Sequence, residues 1–266
     1  MQIIDTHTHI YSKEFDADRS EVIRRAKAAG VESVLLPNED SFSIEPINKL
    51  CDEEPGFAYP MIGLHPTCVN SDYIEEMKRI EVAISKRKYY AVGEVGIDLY
   101  WDRTFIKEQI KIFVEQLQWS IDMQLPVSVH MRNSFNEVLD CIHKVGSDKL
   151  KGVFHCFGGT MDEWNEIVDL KNFYIGIGGV ITFKNNTLSD TIKNIPIERI
   201  VPETDAPYLA PVPYRGKRNE PAYIIEVLKK TAECYKTTIE EVSKHFFKNA
   251  FNLFNIQANN VEDKAF

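Results

Sequence analysis

Two histidines stand two residues apart near the start of the chain, in the run Ile3-Ile4-Asp5-Thr6-His7-Thr8-His9. The residues before them are apolar and β-branched and read as a buried strand. Side chains two apart on a strand share a face. If the strand runs on, Asp5, His7 and His9 point the same way, and two adjacent imidazoles make half of a metal site. The other half must come from elsewhere. Matching groups recur at the ends of later apolar runs: His65 in GLHP, Glu94 and Asp98 in GEVGID, His130 and Arg132 in VHMR, His155 in VFHCF, and Glu203 and Asp205 in PETDAP. Of the 7 histidines, only His143 and His245 fall in segments with helical spacing. Imidazole with carboxylate is the ligand set of Zn, Mn or Fe, with Mg favoured where carboxylate and water dominate. No cysteine cluster joins them, which speaks against a structural zinc held by thiolates. Taken singly, each group has a plainer role, because an acid after a strand usually caps a helix. Their convergence is what points to chemistry.

Convergence requires a fold that gathers run ends on one rim. Eight short apolar runs, QIID, SVLLP, FAYPMIGL, YYAVGEVGI, LPVSVH, GVFHCF, FYIGIGG and RIVPET, alternate with segments of helical spacing. Such alternation over about 250 residues predicts an α/β fold, a (β/α)8 TIM barrel in a single domain, whose chemistry gathers at the C-terminal strand ends. An open doubly wound sheet is the second choice. Residues 1–257 are expected to form the barrel and 258–266 a polar tail. Pro46 is expected to interrupt the helix near 41–53, and Tyr100 and Trp101, just after the fourth run, to pack into the core, with stacking on a base as the alternative.

Bulk properties narrow the function. A hydrophobic fraction of 44% supports a sizeable core. A net charge of −9 argues against a broad nucleic-acid-coating surface, though not against an enzyme that grips one phosphate locally. Five scattered cysteines without a C-x-x-C favour reduced thiols, with Cys156 expected to be a buried structural one. The chain opens as a strand with no basic start, and no stretch approaches a membrane span, so a cytoplasmic protein without membrane contact is expected. No exposed apolar helix face stands out, which favours a monomer.

In their order and spacing, DTHTH, GLHP, GEVGID, VHMR, FHCFGG, PETDAPYLAP and RGKRNEP resemble the TatD family of metal-dependent deoxyribonucleases, within the amidohydrolase-like barrels. The likeness runs from about residue 3 to about residue 255, nearly the whole chain. Gly158 after HCF stands where serine is frequent. The resemblance implies that His7, His9 and Asp205 hold one divalent ion, that His130 and His155 hold a second, and that Glu94 bridges them in place of the carboxylated lysine of many related barrels. Two ions, Mg, Mn or Zn, are thereby implied. It also implies that His65, Arg132, Arg215 and Asn219 contact substrate.

The implied activity is hydrolysis of DNA phosphodiesters, as a 3'-5' exonuclease on single strands or 3' ends, by a metal-activated water. Cations at such a site lower the pKa of water and stabilise charge on phosphoryl oxygens. Asp205 would accept the water proton, Glu203 would support or shuttle it, and Asp98 would orient a ligand histidine. Arg215, Lys217 and Arg218 form a local basic loop that suits phosphate. The alternative is an amide, ester or lactone hydrolase of a small molecule, because one fold serves many reactions. A non-catalytic binding module ranks low, since all six expected ligands are present.

Overall fold

A computed structural model describes residues 1–256; the expected polar tail, 258–266, lies outside the described residues. Eight parallel strands follow one another in chain order around a nearly closed barrel: β1 (Ile3–Asp5), β2 (Val31–Leu36), β3 (Ala58–Ile62), β4 (Ala91–Asp98), β5 (Val127–Arg132), β6 (Gly152–Phe154), β7 (Phe173–Ile177) and β8 (Ile200–Pro202). Between and after them run α1 (Arg19–Ala28), α2 (Ile44–Glu53), α3 (Tyr73–Ile84), α4 (Ile106–Met123), α5 (Phe135–Val145), α6 (Met161–Asp169), α7 (Leu188–Ile192), α8 (Ile224–Tyr235) and α9 (Ile239–Phe254). The chain is a single-domain (β/α)8 barrel. Its seam is sealed beyond the ladder, where Thr6 N donates to Pro202 O at 3.0 Å and Asp205 N to His7 O at 2.9 Å.

Strand alternation sorts the core into two layers. Ile3, Phe154 and Ile200 face outward into a sleeve shared with the helices, whereas Ile4, Val153 and Val201 face inward. The C-terminal part of α9 packs Ala250, Leu253 and Phe254 against that interior. Asn249 holds it in place, donating to Ile200 O at 2.7 Å and Ile197 O at 2.8 Å. The N-terminal end of the barrel is therefore plugged, and the open end is the rim where the strands finish. No described helix is long and apolar enough to cross a membrane.

Two local expectations change. Pro46 does not interrupt α2; it sits in the first turn, where the N–H it lacks has no intrahelical acceptor. Strand β1 ends at Asp5, before the histidines, so simple alternation does not aim them. Instead the extended segment beyond β1 is threaded between its neighbours, with Thr8 N donating to Leu35 O at 3.1 Å and His9 N to Ala206 O at 2.7 Å. Asp5 turns away and accepts from Thr204 Oγ1 at 2.6 Å and Thr204 N at 3.0 Å.

Candidate active site

At the rim a cavity of about 600 Å³ is lined by His9, Glu39, His65, Glu94, Asp98, His130, Arg132, His155 and Asp205, among others. Glu94 lies at its centre. The β4–β5 pairing shifts register between Val92 and Val95, and such a bulge re-aims the side chain within it. Glycine is needed next to it: Gly96 has φ +153°, and any Cβ there would run into the carbonyl of His130.

The two oxygens of Glu94 divide the imidazoles. Oε2 lies 3.0 Å from His7 Nε2 and 3.9 Å from His9 Nε2. Oε1 lies 2.7 Å from His130 Nδ1, 3.3 Å from His65 Nε2 and 3.7 Å from His155 Nε2. Asp205 Oδ1 closes the group, 3.5 Å from His9, 3.8 Å from His155 and 3.9 Å from His7. Sequence positions spread over two hundred residues thus meet within one small pocket.

Hydrogen bonding around the pocket assigns the imidazole protons. Tyr11 OH donates to Pro37 O at 2.8 Å, so its oxygen receives the proton of His9 Nδ1 at 3.0 Å. That leaves the His9 Nε2 lone pair facing Glu94 and Asp205. His65 has the opposite tautomer. Thr67 N donates to its Nδ1 at 3.2 Å, so Nε2 carries the proton and faces the pocket as a donor. His130 Nε2 lies 2.9 Å from Asp98 Oδ2, and its Nδ1 faces Glu94. His155 Nδ1 lies 3.0 Å from Glu203 Oε1 without hydrogen-bonding geometry, and that oxygen accepts from Cys156 N at 2.5 Å.

These residues fit a divalent cation. A lone pair aimed at two carboxylates is repulsive unless a positive charge lies between them. His7 and His155 stack with ring centres 3.5 Å apart, a poor arrangement for two protonated rings. His7 Nε2 is buried without a hydrogen bond. Groups such as His7–His9–Glu94 and His155–Cys156–Asp205 each offer ligand atoms within 4.8 Å of one another. Burial alone would raise Glu94, yet His65, His155 and His7 hold its carboxyl well below the usual range. Burial opposes a charge on His155, but Glu203 and Glu94 push it up to about 10. A proton there occupies a region that calls for positive charge.

Not every expected residue reaches the pocket. Asn219, expected to contact substrate, is fully buried; its amide donates to Thr204 O and Tyr208 O, both at 2.7 Å, and so ties down the loop that carries Asp205. Arg215 does not line the cavity; it lies over the Phe183 ring at 3.8 Å and donates to Ala210 O at 2.8 Å. Arg218 pairs with Asp18 at 2.7 Å, which removes it from the basic loop. Glu203 stands behind His155 rather than in the opening, in space left by Gly176, where a Cβ would collide with its carboxylate. Cys156 is not a buried core thiol; it lines the cavity at φ +48°. Sequence reading missed Tyr11, Glu39, Thr67 and Ser128, the last 3.4 Å from His7 Nδ1. Tyr11, Thr67 and Ser128 each lie two residues from a histidine of the site, a spacing that was there to be read.

A parallel (β/α)8 barrel with imidazoles and carboxylates around its C-terminal opening defines a metal-dependent hydrolase. The sequence pattern described as TatD related DNase matches residues 4–255, and the chain belongs to that family. It is 35% identical over 255 residues to an uncharacterized metal-dependent hydrolase, YabD of Bacillus subtilis (strain 168), covering 96% of this chain and 99% of that one. It is 28% identical over 264 residues to the 3'-5' ssDNA/RNA exonuclease TatD of Pantoea vagans (strain C9-1), covering 96% and 100%. The crystal structure of YjjV, a TatD homolog from Escherichia coli K12, superposes with a TM-score of 0.87 at 27% identity, over 96% of this chain and 98% of that one.

Proposed function

We propose that the protein is a divalent-metal-dependent phosphodiesterase that removes nucleotides from the 3' ends of DNA. The observation that carries this reading is the division of the imidazoles between the two oxygens of Glu94, which suits a pair of cations sharing one carboxylate. In this reading His7, His9 and Asp205 would hold one ion and His130 and His155 the other, with Glu94 available to both. Bound divalent ions, Mg, Mn or Zn, supply Lewis-acid polarisation of a phosphoryl oxygen and a lowered pKa for water.

The chain's own residues do the rest. Asp205 is the catalytic base. Its carboxyl, which burial would raise, is held low by His9, His155 and His7, so it is in the ionised form a base requires. His65, whose Nε2–H faces the pocket 3.3 Å from Glu94 Oε1, supplies a donor for a non-bridging phosphoryl oxygen. Among the described residues that line the cavity Arg132 is the only Lys or Arg, and it grips the phosphate through its planar fork. Tyr11 and Asp98 are positioning residues that fix the rings of His9 and His130, and Glu203 places its charge beside the ring of His155. The likeness to the 3'-5' ssDNA/RNA exonuclease of Pantoea vagans supports nucleic acid as the substrate and 3'-5' as the direction.

The test is a panel of 3'- and 5'-labelled DNA and RNA oligonucleotides, with p-nitrophenyl esters and lactones alongside, in Mg, Mn or Zn. Stepwise shortening from the 3' end of DNA is expected. Hydrolysis of carboxylic esters or lactones with intact oligonucleotides would transfer the same site to small-molecule chemistry.

A further inference from the structure

Tyr100 and Trp101 follow β4 directly and were expected to pack inward, yet they are 53% and 69% exposed. They do not hang from a loose turn. Asp98 Oδ1 accepts from the backbone N–H of Tyr100 at 2.9 Å and of Trp101 at 3.2 Å, while its Oδ2 faces His130. The carboxylate that orients a histidine of the site therefore also sets the two aromatics. The rings meet edge to face with centres 4.9 Å apart. Over them lies Arg132, its guanidinium carbon 3.9 Å from the centre of the Tyr100 ring and 5.2 Å from that of Trp101. No carboxylate pairs with Arg132 among the described residues, although the protein carries a net charge of −9. Trp101 and Arg132 both line the cavity. On the wall contributed by the loop after β8, Tyr208 lines it too and is 50% exposed.

Large aromatic faces left in water forgo burial that the core could have used. Flat apolar faces beside an unpaired guanidinium match one chemical object, a nucleobase still attached to its phosphate. The base must be unpaired, because a base within a duplex has both faces covered by its neighbours. A small ester needs no such platform. We propose that Tyr100 and Trp101 form a base-stacking subsite beside the pocket, with Arg132 held against Tyr100 to grip the phosphate next to the stacked base. This inference rests on the phosphodiesterase reading and adds to it the residues that select an unpaired base.

Trp101 can report on its own occupancy. The chain has 3 tryptophans, and the other two, Trp119 and Trp164, are partly or wholly buried in helices. The metal-loaded protein is titrated with a single-stranded oligonucleotide carrying cleavage-resistant phosphorothioate linkages, and in parallel with the blunt duplex of the same sequence. Quenching by the single strand, none by the duplex, and loss of the signal in Trp101→Phe are expected. In kinetics on the ordinary single strand, Trp101→Ala should raise KM roughly 5- to 100-fold, the range typical of removing one base–aromatic stack, with little change in kcat. Trp101→Phe, which keeps a flat ring, should restore most of the KM. Equal quenching by the duplex, or an unchanged KM in Trp101→Ala while the wild type cleaves oligonucleotides, overturns the subsite and leaves the nuclease reading standing. Single-strand quenching by a wild type that cleaves no oligonucleotide in Mg, Mn or Zn keeps the subsite and removes the nuclease reading.

Discussion

Proton placement decides what each histidine of the site can do. His9 shows its Nε2 lone pair to the carboxylates because the Tyr11 hydroxyl, its own proton committed to Pro37, receives the one on Nδ1, with Glu39 Oε1 further off at 3.5 Å. Tyr11→Phe removes that receiver, and metal affinity should fall about 10–100-fold, as is usual when a ligand's orienting partner is lost. Titration calorimetry checks this, and an unchanged affinity would deny Tyr11 its role. Asp205 sits within 4 Å of three imidazoles and is less buried than Glu94, the other carboxylate that faces all three. Asp205→Asn should keep the fold, readable by circular dichroism, and lower kcat by roughly 10²–10⁴-fold, the range for loss of a general base. Near-normal turnover would take Asp205 out of the mechanism.

At the scale of elements, the site depends on the segments that follow β1 and β8, because neither is regular strand where its ligands stand. Asp205 itself is at φ +54°, an uncommon backbone region that a side chain of this type tolerates. Its loop is fastened from beneath by Asn219, which spans the carbonyls of Thr204 and Tyr208. Asn219→Ala leaves buried acceptors without donors and should cost about 1–3 kcal/mol. Denaturant unfolding measures the loss. An equally stable variant would show that the loop is held by other bonds. Strand order and helix positions were legible in the sequence because burial on both faces writes long apolar runs into parallel strands. The buried role of Asn219 was not, since a polar residue in a loop rich in Pro and Arg reads the same whether it meets ligand or backbone.

Across the whole molecule, the barrel has its own two-layered core, sealed at one end by α9, so metal is expected to add stability rather than create the fold. A cation at one hundred times its dissociation constant stabilises by about 2.7 kcal/mol, which for a chain of this size raises Tm by roughly 5–10 °C. Scanning fluorimetry with and without EDTA reads the shift, and a Tm indifferent to Mg, Mn and Zn would dispose of the cation site. The sequence alone determined the barrel and the types of group at its rim, because periodicity and residue chemistry are local properties. It also carried the family motifs that gather His7, His9, Glu94, His130, His155 and Asp205. Only the tertiary structure decided which atom of each imidazole faces inward, that Arg215, Arg218 and Asn219 are engaged with the protein itself, and that Tyr100 and Trp101 stand in water beside Arg132. Those outcomes depend on hydrogen-bond partners and open space contributed by distant segments, which no stretch of chain contains by itself.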